Sequence, residues 1–229
     1  MRLAIFTPED TQQASIQSPG GELRRPAEST QSSPAAVSSE LPYAAEESAE
    51  IREIFGASAT RSFSTASITP ETLQHFDWSD FSIGHFAMHA VLSEKYAELT
   101  GLSLGERKKA GSADLLWYGD VGHLHTNLDL VVLSACNSAL GERIPGEGLH
   151  GLTQAFFAAG SQRVLGTLWE VDDQATSVWM QHFYVALKQT HSPVKALHSA
   201  QEKMAADSEW SSPYYWAGFV LAGDWRPLR

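Results

Sequence analysis

The chain has 229 residues, of which 43% are hydrophobic and 19% charged, a composition ordinary for a soluble globular protein with a substantial core. Its formal net charge of −11 argues against nonspecific binding to nucleic acid or to an anionic membrane, because both require Lys/Arg patches. The single cysteine excludes an intrachain disulfide and indicates a reducing compartment. With no apolar run of membrane-spanning length and no secretory signal, the sequence predicts a cytoplasmic protein.

The N-terminal part of the chain changes abruptly in composition. Residues 1–9 contain a short apolar run that predicts a first strand. Residues 10–42 are rich in Ser, Gln, Pro and Glu and predict a flexible linker or long loop, because they can bury too little surface to offset the entropy of ordering. Residues 43–229 have the patterning of a folded domain.

Helices and strands alternate through that domain. The periodicity and capping residues predict helices at 44–55, 70–76, 149–159, 173–189 and 193–205. Strands are predicted at 82–88, 130–135, 163–168 and 216–221, and irregular loops over 91–116. This alternation predicts an α/β fold with a doubly wound, mostly parallel sheet flanked by helices.

Two of the predicted strands end in side chains capable of nucleophilic and acid–base chemistry. Cys136 follows the apolar run 130–135 just before a polar turn, and His89 closes the upstream strand. Since ligands bind outside the carboxyl ends of parallel strands, adjacent strands would bring both side chains to one edge of the sheet. They are therefore a candidate nucleophile and base. The alternative is a small buried cysteine and a strand-end histidine bonded to backbone.

Several stretches resemble the CHAT domain family, in the order and spacing typical of that family from about residue 41 to 225. They are His85-Phe-Ala-Met-His89, Asp129-Leu-Val-Val-Leu-Ser-Ala-Cys136, Gly146-Glu-Gly148, Leu168-Trp169-Glu-Val-Asp172-Asp173, Phe183-Tyr184 and Tyr215-Trp216-Ala-Gly-Phe-Val. The family belongs to the caspase and separase clan of cysteine endopeptidases. The resemblance therefore implies a caspase-like CHAT domain over residues 43–229, without the family's usual N-terminal part.

The resemblance also implies an activity, which is cleavage of a protein substrate with no cofactor and no metal. Cys136 would be the nucleophile and His89 the general base and acid. The backbone N–H groups of Cys136 and Ala90 would form the oxyanion hole. CHAT domains often follow helical repeats, and none is seen here, which indicates either a stand-alone short form or a separate regulatory protein partner.

Other polar residues near the two strands have simpler interpretations. Asp172 and Asp173 are predicted as helix caps, and as in several relatives they could line an acidic substrate pocket together with Trp169. His85 is predicted as a buried, hydrogen-bonded supporting residue. A zinc site using His85, His89 and Cys136 is disfavoured, because the HxxxH spacing converges on a helix and not on a strand.

One departure from the family pattern supports a rival hypothesis. Ala90 stands where the family has glycine; the N–H donor is kept, but a positive φ at this position would cost roughly 1 kcal/mol. The rival is a catalytically weak or inactive CHAT-fold module that binds a protein partner. A third hypothesis is a cysteine-dependent transferase or hydrolase acting on a small molecule.

Overall fold

A computed structural model describes residues 1–8, 43–91, 99–106, 113–134 and 147–229. The predicted linker and Cys136 lie outside these ranges. The strands are β1 Leu3–Thr7, β2 Thr60–Ser64, β3 Ile83–Ala87, β4 Ala90–Val91, β5 Gly101–Glu106, β6 Ala113–Trp117, β7 Leu130–Ser134, β8 Arg163–Thr167 and β9 Phe219–Gly223. The α-helices are α1 Ala44–Phe55, α2 Pro70–Gln74, α3 Tyr118–Gly122, α4 Glu147–Ala158, α5 Asp173–Thr190 and α6 Pro193–Ala206.

The central sheet has six strands in the order β2-β1-β3-β7-β8-β9. All neighbours are parallel except β8 and β9, which are antiparallel. Every residue of β1, β3 and β7 is buried, as their near-continuous apolar sequences require of strands covered on both faces. The predicted α/β fold with a mostly parallel sheet is confirmed.

Helices cover both faces of the sheet and build two apolar cores. One core joins alternate strand residues such as Ile5 and Val132 to α1, α5 and α6. The other joins the intervening residues, such as Phe6 and Leu133, to α2, α3 and α4. None of the helices in the described ranges is long and apolar enough to span a membrane.

The prediction of irregular loops over 91–116 is wrong. This stretch contains β5 and most of β6, which pair antiparallel and form a second, three-stranded sheet with β4. Gly101 permits the close approach, because a Cβ there would lie 2.9 Å from the Leu116 carbonyl oxygen. A glycine that signals a loop by composition here allows two strands to pair.

Helix α1 packs on α5 with an acidic residue in the contact. The Glu50 carboxylate is half-buried and accepts a hydrogen bond from the Gln181 amide at 3.2 Å. Burial first, and then the charges of Glu46, Glu47 and Glu53, raise the pKa of Glu50 to about 7. Native Glu50 therefore holds its proton in a pH range where the unfolded chain has released it.

Replacing Glu50 with glutamine is expected to stabilise the protein at neutral and alkaline pH. Between the unfolded pKa of 4.5 and the folded pKa of about 7, the native state binds more protons, so the free energy of unfolding falls as pH rises. Glu50→Gln removes the carboxyl group and with it this decrease in the free energy of unfolding. We expect the variant to be more stable by roughly 1–2 kcal/mol at pH 7.5, a value reduced for solvent screening of a half-buried group.

Urea unfolding at pH 5 and at pH 7.5 measures this effect. Glu209→Gln, at an exposed position, is the control for removal of one negative charge. Equal unfolding free energies for Glu50→Gln and the unmodified chain at pH 7.5 would show that ionisation of Glu50 does not destabilise the folded state.

Candidate active site

The two strands that precede the candidate catalytic residues are neighbours in the sheet. β3 and β7 pair in parallel, with Ala87 opposite Ser134. His89 lies two residues beyond β3 and is half-buried, and its carbonyl oxygen accepts a hydrogen bond from the Ser103 N–H at 2.8 Å. The small sheet thus anchors the backbone at His89. Cys136 lies outside the described residues, so its pairing with His89 stays a prediction.

Ala90 occupies a backbone conformation that suits alanine. It begins β4, pairs with Leu102 of β5 and is 2% exposed. The non-glycine residues with positive φ in the described ranges are His125, Asn127 and His191. The left-handed geometry that would penalise a Cβ does not occur at position 90. Alanine in place of the family's glycine therefore causes no backbone strain that would weaken activity.

A buried polar cluster lies between α1 and the carboxyl ends of β3 and β7. The Glu47 carboxylate accepts a hydrogen bond from the Ser134 hydroxyl at 3.0 Å, and its other oxygen lies 2.7 Å from His85 Nε2. His85 Nδ1 is 2.9 Å from the Tyr184 hydroxyl of α5. The side chains of His85 and Glu47 are 0% and 5% exposed. The prediction that His85 is a buried, hydrogen-bonded supporting residue is confirmed.

The cluster has electrostatic consequences for Tyr184. Burial, with a further contribution from the Glu47 charge, holds the pKa of Tyr184 well above its usual value. Its hydroxyl therefore keeps its proton and can donate to His85 Nδ1. His85 Nε2 lies 2.7 Å from the Glu47 carboxylate, but the two groups are not aligned as a hydrogen bond.

Sequence reasoning missed Glu47 as a member of this site. The signal that could have found it is its position one turn before Ile51, on the buried face of α1. An acidic residue at such a position must have buried partners, since an isolated carboxylate is costly to desolvate. Its partners are distant in sequence, so the pattern alone could not name them.

The predicted acidic pair lies where the connection from β8, the neighbour of β7, enters α5. Asp172 caps α5 by accepting a hydrogen bond from the Ala175 N–H at 3.0 Å, as predicted. Asp173 instead lies within α5, and its carboxylate accepts a hydrogen bond from the Tyr43 N–H at 3.4 Å. A role for either residue in a substrate pocket stays a prediction.

Trp169 lies on the same connection and is half-buried. Its indole N–H donates to the Tyr214 carbonyl oxygen at 2.9 Å. The ring covers Gly218, where a Cβ would lie 2.7 Å from a ring carbon. These contacts fix the indole between β8 and the segment that leads into β9. The predicted place of Trp169 in a pocket wall stays a prediction.

Within the described ranges, no three acidic, histidine or cysteine side chains are grouped so that they could hold a metal ion. His85 and His89 are on or just after one strand, where the HxxxH spacing does not bring the rings together.

Comparison with known proteins identifies the fold and its family. A family model for the CHAT domain matches residues 3–224. Tetratricopeptide repeat protein 28 of Mus musculus is 38% identical over 109 residues, and the same-named protein of Homo sapiens is 35% identical over 109 residues. Each match covers 48% of this chain and 4% of the relative, so the chain spans only a small part of the curated relatives' length. The chain belongs to the CHAT domain family.

Proposed function

We propose that this CHAT domain is a cysteine endopeptidase with Cys136 as nucleophile and His89 as general base and acid. The observation that carries the proposal is the in-register pairing of Ala87 with Ser134 on neighbouring parallel strands. His89 and Cys136 each follow a member of this pair by two residues in the sequence. Adjacent parallel strands direct the chain to the same edge of the sheet, which is where α/β proteins bind ligands.

The proposed reaction needs no cofactor. His89 accepts the Cys136 proton, and the thiolate attacks the carbonyl carbon of a peptide bond in a protein substrate. Backbone N–H groups at Cys136 and Ala90 stabilise the oxyanion of the tetrahedral intermediate. His89 then protonates the departing amine, which leaves a thioester, and a water deprotonated by His89 releases the acid and regenerates the thiol.

Substrate preference is proposed to come from the connection between β8 and α5. Asp172 and Glu170 are exposed there, and Asp173 and Trp169 are half-exposed. Carboxylates beside an aromatic ring suit a basic side chain of the substrate. A reducing, cytoplasmic location would keep Cys136 as a thiol, and a regulatory protein partner would act on this domain from outside the chain.

The reactivity of Cys136 with iodoacetamide tests the proposed pair directly. In the unmodified chain, we expect an apparent thiol pKa below the value of about 8.5 for free cysteine. At pH 6.5, alkylation should be at least about tenfold faster than in His89→Ala, because the proposed histidine partner stabilises the thiolate. Mass spectrometry of the single cysteine gives the rate at each pH.

His198→Ala is the matched control, because the side chain of His198 is 73% exposed. It should leave the pH profile of alkylation unchanged. A thiol that reacts slowly, titrates like free cysteine and is insensitive to His89→Ala would contradict the endopeptidase and favour the rival hypothesis of an inactive interaction module.

A further inference from the structure

We infer that Glu47 is a positioning residue, whose carboxylate links β3 to the end of β7 and thereby sets the placement of His89 relative to Cys136. The inference rests on the proposed function. It assigns to α1, which lies far from both catalytic residues in sequence, a direct part in the geometry of the site.

The carboxylate bridges the middle of β3 and the end of β7. One oxygen accepts a hydrogen bond from Ser134, the last residue of β7, and the other lies 2.7 Å from His85 in β3. Ser134 precedes Cys136 by two residues and His85 precedes His89 by four. A single buried group therefore contacts both strands just ahead of the two catalytic positions.

Hydrogen bonds with α5 fix the position of α1, the helix that carries Glu47. Tyr43, immediately before α1, donates its N–H to Asp173, Gln181 donates to Glu50, and the Lys188 ammonium donates to the Ile54 carbonyl oxygen. These contacts attach the start, middle and end of α1 to α5. Tyr184 of α5 lies 2.9 Å from His85 Nδ1, so a polar group adjoins each nitrogen of the ring. Glu47 thus has a defined position from which to hold the strands.

The strands do not need this carboxylate in order to pair. β3 and β7 are already in register over five residues, from Ile83 opposite Leu130 to Ala87 opposite Ser134. A buried polar contact is often no more stabilising than well-packed apolar groups of the same shape. What the carboxylate adds is a hydrogen bond to Ser134 at the end of β7 and a close polar contact with His85 in the middle of β3, which together restrain the relative placement of the two strands.

The test compares variants of Glu47 by the pH dependence of Cys136 alkylation in the full chain. Glu47→Gln keeps the shape but replaces one acceptor oxygen with a donor, and Glu47→Asp keeps the charge but shortens the reach. Both should slow alkylation at pH 6.5 about three- to tenfold and move the apparent thiol pKa toward that of free cysteine. Ser134→Ala, which removes only one arm of the bridge, should act in the same direction.

Glu53→Gln is the matched control, since Glu53 is exposed on the same helix and carries the same charge. It should leave the profile unchanged, which separates positioning from a general field effect of α1. Circular dichroism verifies that each variant is folded. If the Glu47 variants do not fold, the alkylation profile of Ser134→Ala decides the test.

The outcomes distinguish this inference from the proposed function. A fast, His89-dependent thiol that is unaffected by Glu47→Gln, Glu47→Asp and Ser134→Ala overturns the positioning role and leaves the endopeptidase intact. A thiol that already titrates like free cysteine in the unmodified chain overturns both. Slowing by the bridge variants, with Glu53→Gln like the unmodified chain, supports the inference.

Discussion

Cys136→Ala should abolish peptide-bond cleavage by this chain, and His89→Ala should lower the cleavage rate by about 10²–10⁴-fold. The first change removes the nucleophile, so no thioester can form. The second leaves a thiol that must ionise without help and an amine that must leave without a proton. The expected losses differ because the nucleophile is required, whereas the base only accelerates the reaction.

A mixture of denatured cytosolic proteins is a suitable substrate when the preferred sequence is unknown. Mass spectrometry of newly formed N-termini identifies cleavages present with the unmodified chain and absent with Cys136→Ala. His198→Ala, at an exposed position, should retain them. If the same cleavages persist in Cys136→Ala, they come from another protease and the proposal loses its support.

The same data examine the proposed substrate preference. If Asp172 and its neighbours line the pocket, the cleaved bonds should follow or closely precede Lys or Arg. Asp172→Asn would then weaken that preference while keeping most of the helix cap, because asparagine is as good at the N-cap as aspartate. Cleavage sites with no basic residue nearby would leave Asp172 as a cap alone.

Local sequence signals were sufficient for much of this fold. Three helices begin at N-cap residues of the types that favour this position. These residues are Asp172, Thr69 (before Pro70) and Ser192 (before Pro193). The buried strands β3 and β7 were equally visible, because both their faces are covered and their sequences are almost wholly apolar. These features depend on residues that are close together along the chain.

Features that depend on distant partners were not predictable in this way. The pairing of β5 with β6 is marked only by glycines and short apolar runs, which also describe loops. Glu47 finds Ser134 across 87 residues, so nothing near it in sequence identifies its role. The same reasoning explains why His85 could be predicted as buried and bonded, while its acidic partner could not be named.

The largest effect on stability is expected at Arg163, at the start of β8 and at the opposite end of the sheet from His89. Its side chain is 2% exposed. The guanidinium donates to the carbonyl oxygens of Asp129, Asp224 and Arg226 at 2.7, 2.8 and 3.1 Å, and it lies 3.4 Å from the Asp224 carboxylate. It therefore joins β8 to the residue before β7 and to the chain after β9.

Burial lowers the pKa of Arg163, while the charges of Asp224 and Asp129 oppose that shift. Hydrogen bonds from Arg226, with smaller contributions from the charges of Arg226 and Arg163, hold the pKa of Asp224 far below its usual range. The guanidinium thus stays charged in a nearly closed site because acceptors surround it. Removing it would leave three carbonyl groups and a carboxylate without this donor.

Arg163→Ala is accordingly expected to lower the free energy of unfolding by about 3–5 kcal/mol, because three carbonyl oxygens lose a buried, charged donor. Arg163→Lys should lose less, because an ammonium keeps the charge but cannot reproduce the planar fork of donors. Urea unfolding measures both, and Arg61→Ala at an exposed position is the control. A loss below about 1 kcal/mol for Arg163→Ala would mean that water replaces the guanidinium at little cost.

The position of Arg163 also gives this experiment a functional use. Because it lies at the amino end of β8, its contacts are remote from the carboxyl edge where His89 follows β3. Folded Arg163→Lys should therefore keep the alkylation profile of Cys136 even though its stability is reduced. If Arg163→Lys lowers stability but leaves Cys136 alkylation unchanged, and a Glu47 variant slows alkylation, then thiol reactivity depends on the local bridge and not on global stability.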